Sequence, residues 1–171
     1  MGNIYLLGFM GSGKSSLGKN LAKLIAYDFV DLDATIEAEK QVSITQLFAH
    51  SENDFREAEK NCLQNVAQKS KQVVAVGGGT PCFFNNMDLM NATGLTIYLS
   101  MPVAALHSRL KNAKDNRPLL APVTDAALLP FIGALMHKRE PFYLKAQLHV
   151  SALDCKAAYI NNLIKLSGWE Y

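Results

Sequence analysis

Glycines, a lysine and two hydroxyls crowd one short stretch near the amino end, Gly8-Phe-Met-Gly11-Ser12-Gly13-Lys14-Ser15. An apolar run, Ile4 to Leu7, leads into it, and a helical pattern starts near Lys14. The spacing G-x-x-x-x-G-K-S between a strand and a helix is the phosphate-binding-loop pattern. Glycines let the backbone curl until successive N–H groups aim into one concavity. The helix N-terminus behind the loop adds roughly half a positive charge. The candidate cradle for nucleotide phosphates is therefore Gly11, Ser12, Gly13, Lys14, Ser15 and Ser16. Lys14 would reach the β- and γ-phosphates as a point charge, and the Ser15 hydroxyl would ligate Mg²⁺. The plain alternative is a chance glycine-rich turn.

Three further clusters could do chemistry. Phe29-Val30-Asp31-Leu32-Asp33 reads as a short strand ending in two acids, and alternation points both carboxylates the same way. A cation or a substrate hydroxyl between them would relieve their repulsion; otherwise Asp33 caps the helix expected over 34–40. Arg56 and Glu59 stand at i and i+3 on one helix face, where a surface pair is worth only ~0.2–0.5 kcal/mol. On spacing alone Arg56 reads as structural. Gly77-Gly78-Gly79 follows a buried apolar run, Val73 to Val76, at the strand edge where open α/β sheets bind ligands. A flexible turn is the simpler reading of that triplet.

The elements that must position these groups alternate. The spacing predicts a helix over 14–26 with Leu17, Leu21, Leu24 and Ile25 as its apolar stripe, where Gly18 is tolerable if it permits close packing. Ser43 and Ser51 are placed to start two more helices, with Asp54 at a capping-box position. A helix over 83–91, a strand over 95–99 and a helix opening at Pro102 follow. Residues 111–123 break the periodicity and read as a loop of functional size. A helix from Thr124 should kink or end at Pro141, which lacks an N–H. A weak strand over 147–150 and a helix over 155–166 complete the chain. Strands alternating with helices argue for a parallel sheet covered on both faces.

Composition sets bounds. At 171 residues the chain suits one domain with a sizeable core. A net charge of +2 argues for neither nucleic acid nor membrane as partner. Cys62, Cys82 and Cys155 lack C-x-x-C spacing, which fits a reducing cytoplasm better than a disulfide framework or a zinc site. The start lacks the features of a secretory or myristoylation signal, and no apolar run approaches the ~18 residues of a membrane span.

Taken together, the loop at Gly8 to Ser15, Asp31-x-Asp33, Phe55-Arg56-x-x-Glu59, the glycine triplet, Arg117-Pro118-Leu119-Leu120 and Arg139-x-x-x-Tyr143 resemble the shikimate kinases in order and approximate spacing over most of the chain. The resemblance implies a nucleoside-monophosphate-kinase-like α/β fold of three layers. Its sheet would have five parallel strands in the order 2-3-1-4-5. One kinase domain would carry a substrate-binding region at about 33–61 and a lid at about 111–124. It implies ATP-dependent phosphorylation of a shikimate hydroxyl, with Mg²⁺, in a cytoplasmic enzyme acting as a monomer. Residue by residue, Asp31 resembles the acid that holds Mg²⁺ through water. Asp33 resembles the one that bonds the substrate hydroxyls and takes the proton. Arg56 and Arg139 resemble the pair gripping the substrate carboxylate, which reverses the structural reading of Arg56, and Glu59 the acid that orients Arg56. Gly78 and Gly79 would offer backbone contacts, and Phe48 and Phe55 apolar walls. Arg117 resembles the lid arginine and Arg109 the one against the adenine. The chain departs from the family after Tyr143, where Leu144-Lys145-Ala146-Gln147 stand, and around 151–154, so the base-contacting residues stay open. Two alternatives remain: a kinase of this fold acting on gluconate or another polyhydroxy carboxylate, and a nucleotide-binding module without chemistry.

Overall fold

A computed structural model describes residues 2–112 and 119–169 of the chain. Five parallel strands form one sheet in the order β2-β3-β1-β4-β5: β1 (Asn3–Leu7), β2 (Asp28–Asp31), β3 (Gln72–Ala75), β4 (Gly94–Ser100) and β5 (Leu148–Ser151). Ile4 pairs in register with Val73 on one side and Leu95 on the other. β1 and β3 are buried at every residue and β4 at all but its last, whereas β2 and β5 form the more exposed edges. Burial on both faces explains why the central strands read as continuous apolar runs.

The helices are α1 (Lys14–Ile25), α2 (Leu32–Lys40), α3 (Ile44–His50), α4 (Glu52–Ala67), α5 (Asn86–Thr93), α6 (Val103–Leu110), α7 (Asp125–Tyr143) and α8 (Ala157–Leu166), with a 3₁₀ turn at Thr80–Cys82. In α1, a Cβ on Gly18 would lie 2.6 Å from Phe29 and 3.1 Å from Leu6, so this glycine lets the helix sit directly on the sheet. Ser43 caps α3 in a reciprocal box with Gln46, and Ser51 accepts from the Asp54 backbone to start α4. Among the described residues no helix is long and apolar enough to cross a membrane.

Three expectations need correction. β2 ends at Asp31, and Asp33 lies in the first turn of α2. The cap is Asp31, whose Oδ1 accepts from the Ala34 N–H at 3.4 Å, so the helix begins two residues earlier than alternation suggests. Pro141 does not end α7, which runs on to Tyr143. That last turn is held by docking: the Tyr143 ring is fully buried 5.2 Å from Tyr98, and packing overrides the missing donor. The helix expected over 83–91 begins only at Asn86, because Phe83 is extended and Phe84 adopts a left-handed φ of 51°.

At the opposite end of the sheet from the glycine-rich loops, buried Asn3 ties β1 to the α4–β3 connection. Its amide donates to the carbonyls of Val66 (3.3 Å) and Lys69 (3.0 Å), and its Oδ1 accepts from Gln72 N–H (3.1 Å). Asn3→Ala would take a partner from the buried Gln72 N–H and from the Lys69 carbonyl, while the Val66 carbonyl keeps the Lys69 N–H. The expected loss is about 2–3 kcal/mol, or roughly 5–10 °C in the thermal midpoint followed by circular dichroism. An unchanged midpoint would mean that water fills the gap.

Candidate active site

The loop between β1 and α1 is built by backbone conformation. Gly8, Gly11 and Gly13 have φ of 140°, 82° and 94°, values that a side chain would strain. Gly13 begins α1 with no side-chain cap, and the first turn of the helix carries no acid. Its N–H groups are thus left for an anion. Lys14 Nζ donates back to the carbonyls of Gly8 (2.8 Å) and Phe9 (3.0 Å), so the ammonium lies over the loop. Ser15 Oγ donates to Asp31 Oδ2 at 2.7 Å, which joins the loop to the end of β2.

The loop separates two clefts. One, of about 390 Å³, is lined by Ser12, Gly13, Ser16, Arg109 and residues 154–157. Exposed Arg109 donates to the Gly11 carbonyl at 3.2 Å. The other, of about 280 Å³, is lined by Met10 of the same loop together with Asp33, Phe48, Phe55, Arg56, Glu59, Gly77, Gly78, Gly79 and Arg139. Every expected acceptor-side residue therefore converges on one cavity. Arg117 lies outside the described residues, although Leu119 of the expected lid lines this cleft.

The glycine triplet is explained by contact rather than by φ. A Cβ on Gly77 would fall 2.8 Å from Glu59 Oε1 and 3.0 Å from Asp33 Oδ1; on Gly78, 3.2 Å from Met10 N and 3.3 Å from Arg139 Nη1; on Gly79, 2.7 Å from Arg56 Nη1. Arg56 is buried, donates to Glu59 Oε2 at 2.9 Å and to Glu52 at 3.3 Å, and its Cζ lies 3.9 Å from the centre of the Phe83 ring. Phe55 and Phe48 flank the same guanidinium at 4.9 and 5.7 Å. Buried in this way the pair is no weak surface bridge.

Sequence reasoning missed Phe83, Thr80 and the part played by Tyr143. The Thr80 hydroxyl donates to Glu59 Oε1 at 2.5 Å, and the Tyr143 hydroxyl donates to the Gly78 carbonyl. Nothing in local spacing marks the first two; Tyr143 was visible only as part of its motif.

Among the described residues, three polar atoms of residues that line the acceptor cleft are buried without a hydrogen-bond partner: Asp33 Oδ1, Arg56 Nε and Arg139 Nη1. Among the described residues Arg139 pairs with no carboxylate, although it is buried. Desolvation, then the charges of Glu59 and Asp31, raise the Asp33 pKa from 3.8 to about 6, against a lowering by Lys14. The site thus holds an acid whose pKa is lifted toward neutrality by burial and neighbouring carboxylates, with Lys14 opposing them.

A family model described as shikimate kinase matches residues 10–166. A shikimate kinase of Phocaeicola vulgatus is 46% identical over 148 residues, covering 86% of this chain and 85% of that protein. The crystal structure of shikimate kinase from Bacteroides thetaiotaomicron superposes with a TM-score of 0.88 at 38% identity, covering 97% of this chain and 98% of that one. A shikimate kinase from Acinetobacter baumannii, solved in complex with shikimate, superposes with a TM-score of 0.90 at 30% identity, covering 99% and 96%.

The raised Asp33 pKa has a signed consequence. Below about pH 3 the carboxyl is mostly protonated in folded and unfolded chains alike, so stability carries little penalty from it. As pH rises from about 4 to about 6 the unfolded chain ionises first, the folded state binds more protons, and stability falls. Above about pH 7 the penalty is complete, at most about 3 kcal/mol for the shift from 3.8 to about 6. Asp33→Asn removes it, so the variant's stability advantage in urea unfolding should grow between about pH 4 and about pH 7. An advantage that does not change with pH would show that burial leaves this proton alone.

Proposed function

The chain belongs to the shikimate kinase family, and on that premise we propose a role for each residue lining the two clefts. The protein transfers the terminal phosphoryl group of ATP to a hydroxyl of shikimate, giving shikimate 3-phosphate and ADP, a step of aromatic amino acid biosynthesis. Phosphoryl transfer needs positioning and charge stabilisation more than covalent help.

On the donor side, the backbone N–H groups of Gly11 to Ser16 hold the phosphates. Lys14 exchanges its two loop carbonyls for phosphate oxygens. Arg109 and the 154–157 segment border the base. Ser15 and Asp31 suit a magnesium ion, since both offer hard oxygen donors 2.7 Å apart and such an ion keeps most of its waters. Bound there, it would neutralise charge shared between the phosphates. Arg117, from the lid at about 111–124, closes over the phosphates and keeps water from the reacting groups.

On the acceptor side the reading is carried by the three buried, unpartnered atoms. A carboxylate would fill the free N–H groups of Arg56 and Arg139, and a hydroxyl would donate to Asp33 Oδ1. Charge-assisted bonds of this kind fix orientation as well as affinity. Asp33 then accepts the proton of the attacking hydroxyl, a task suited to a carboxylate with a pKa of about 6. Glu59 orients Arg56, Phe48 and Phe55 wall the ring, and the backbones of Gly78 and Gly79 border it. The 33–61 region forms the acceptor subregion. The enzyme acts as a monomer in the cytoplasm, without nucleic acid or membrane as partner. The small net charge and three free cysteines support that setting.

Coupled ADP release with shikimate, gluconate or no acceptor tests the reading, which requires release with shikimate alone. Lys14→Met should lower turnover by at least ~10²-fold, and near-normal turnover would defeat the donor assignment. Arg139→Ala should raise KM for shikimate by ~30-fold or more while changing KM for ATP by less than about threefold. Equal effects would move Arg139 out of the acceptor pocket.

A further inference from the structure

Arg56 stands between two acids on opposite sides. Glu59 lies inside, fully buried against the acceptor cleft; Glu52 lies outward on the preceding turn of α4, about half exposed. Arg56 also borders an outer groove formed with Glu52, Asn53, Glu57, Phe83 and Phe84. The guanidinium is therefore shared: Nη1 bonds Glu59 inward at 2.9 Å and Nη2 bonds Glu52 outward at 3.3 Å.

What holds Glu59 in place is on the 3₁₀ turn. Each Glu59 oxygen has one donor: Arg56 Nη1 on Oε2 at 2.9 Å and the Thr80 hydroxyl on Oε1 at 2.5 Å. Thr80 has no exposed surface, and its carbonyl accepts from the buried Asn86 amide at 3.0 Å, which pins the turn to the start of α5. The terminal torsion of a glutamate is broad, so one donor leaves the carboxylate free to turn and two do not. Without the hydroxyl, Oε1 would be a buried carboxylate oxygen with no donor, on the same side of Gly77 as the Asp33 carboxylate, a costly arrangement that rotation relieves. Rotation would carry the Arg56 contact with it.

We propose that Thr80 is a positioning residue: by fixing both oxygens of Glu59 it secures the inner hold on the Arg56 guanidinium, beside the acceptor cleft, against the outward pull of Glu52, which bonds the same group at 3.3 Å. The proposal rests on the reading that Arg56 grips that carboxylate. It adds that the grip is biased from a residue touching neither substrate, and that Glu52 is the competing partner.

The test is a steady-state comparison of Thr80→Val, Thr80→Ser, Thr80→Val with Glu52→Gln, and Arg56→Ala, each checked for folding by its thermal midpoint. Thr80→Val should raise KM for shikimate by ~10-fold or more, the loss expected of one hydrogen bond to a charged group, with KM for ATP within about twofold of the parent. Thr80→Ser, which restores the donor, should return KM for shikimate to within about threefold. Removing the outer charge in the double variant should recover part of the loss, a result that simple damage to the fold would not give. An unchanged KM for shikimate in Thr80→Val, equal rises in both KM values, failure of the serine to rescue, or no recovery on adding Glu52→Gln would each overturn the proposal. Should Arg56→Ala leave KM for shikimate unchanged, the carboxylate grip itself is wrong; should it raise KM while Thr80→Val does not, only the role of Thr80 fails.

Discussion

Between the tips of β1 and β3 the two backbones run so close that a side chain on Gly78 would make its neighbours give way. A Cβ on Gly78 would press on Met10 N at 3.2 Å and on Arg139 at 3.3 Å, and one on Gly79 would enter the Arg56 guanidinium. This closeness brings the phosphate loop, the two arginines and Asp33 around one cavity, because each comes from a different element and only the bare triplet lets them meet. Loops at the carboxyl ends of parallel strands are where such folds bind ligands, and here the sheet order sets which loops meet. The triplet is thus a spacing device, and the rest of the site is arranged about it.

The second constraint is charge. Taking a cation or an acid out of water costs several kcal/mol unless good partners replace the lost hydration. Glu59 meets that condition through Arg56 and Thr80, while aromatic faces cover the remaining sides of the guanidinium. Asp33 and Arg139 do not, and each keeps one polar atom with nothing to bond. Their incompleteness is what the proposed carboxylate- and hydroxyl-bearing acceptor would fill. A core chosen only for stability would have paired or replaced them.

How much of this could be read from the chain alone follows the range of each interaction. The phosphate loop is legible because its requirements, three positive-φ glycines and an uncapped helix start, lie within a few consecutive residues. The alternation of strands and helices is likewise local. Asp33 is found by its motif and misplaced by its geometry, since the cap at Asp31 moves it from the strand onto the helix. Arg56 looks like a surface residue at i, i+3 spacing because its burial depends on Phe83, which stands beyond β3. Thr80 is invisible for the same reason: a hydroxyl after a glycine run signals nothing until α4 is seen beside it. Pro141 misleads because the docking of Tyr143 against Tyr98 outweighs one absent donor.

The lysine of the phosphate loop rests on the carbonyls of Gly8 and Phe9. That resting place is an internal competitor built into the cradle. An incoming anion must outbid two short charge-assisted bonds before the ammonium changes sides. The two carbonyls are thus the contacts that any anion taken up beside this ammonium has to replace.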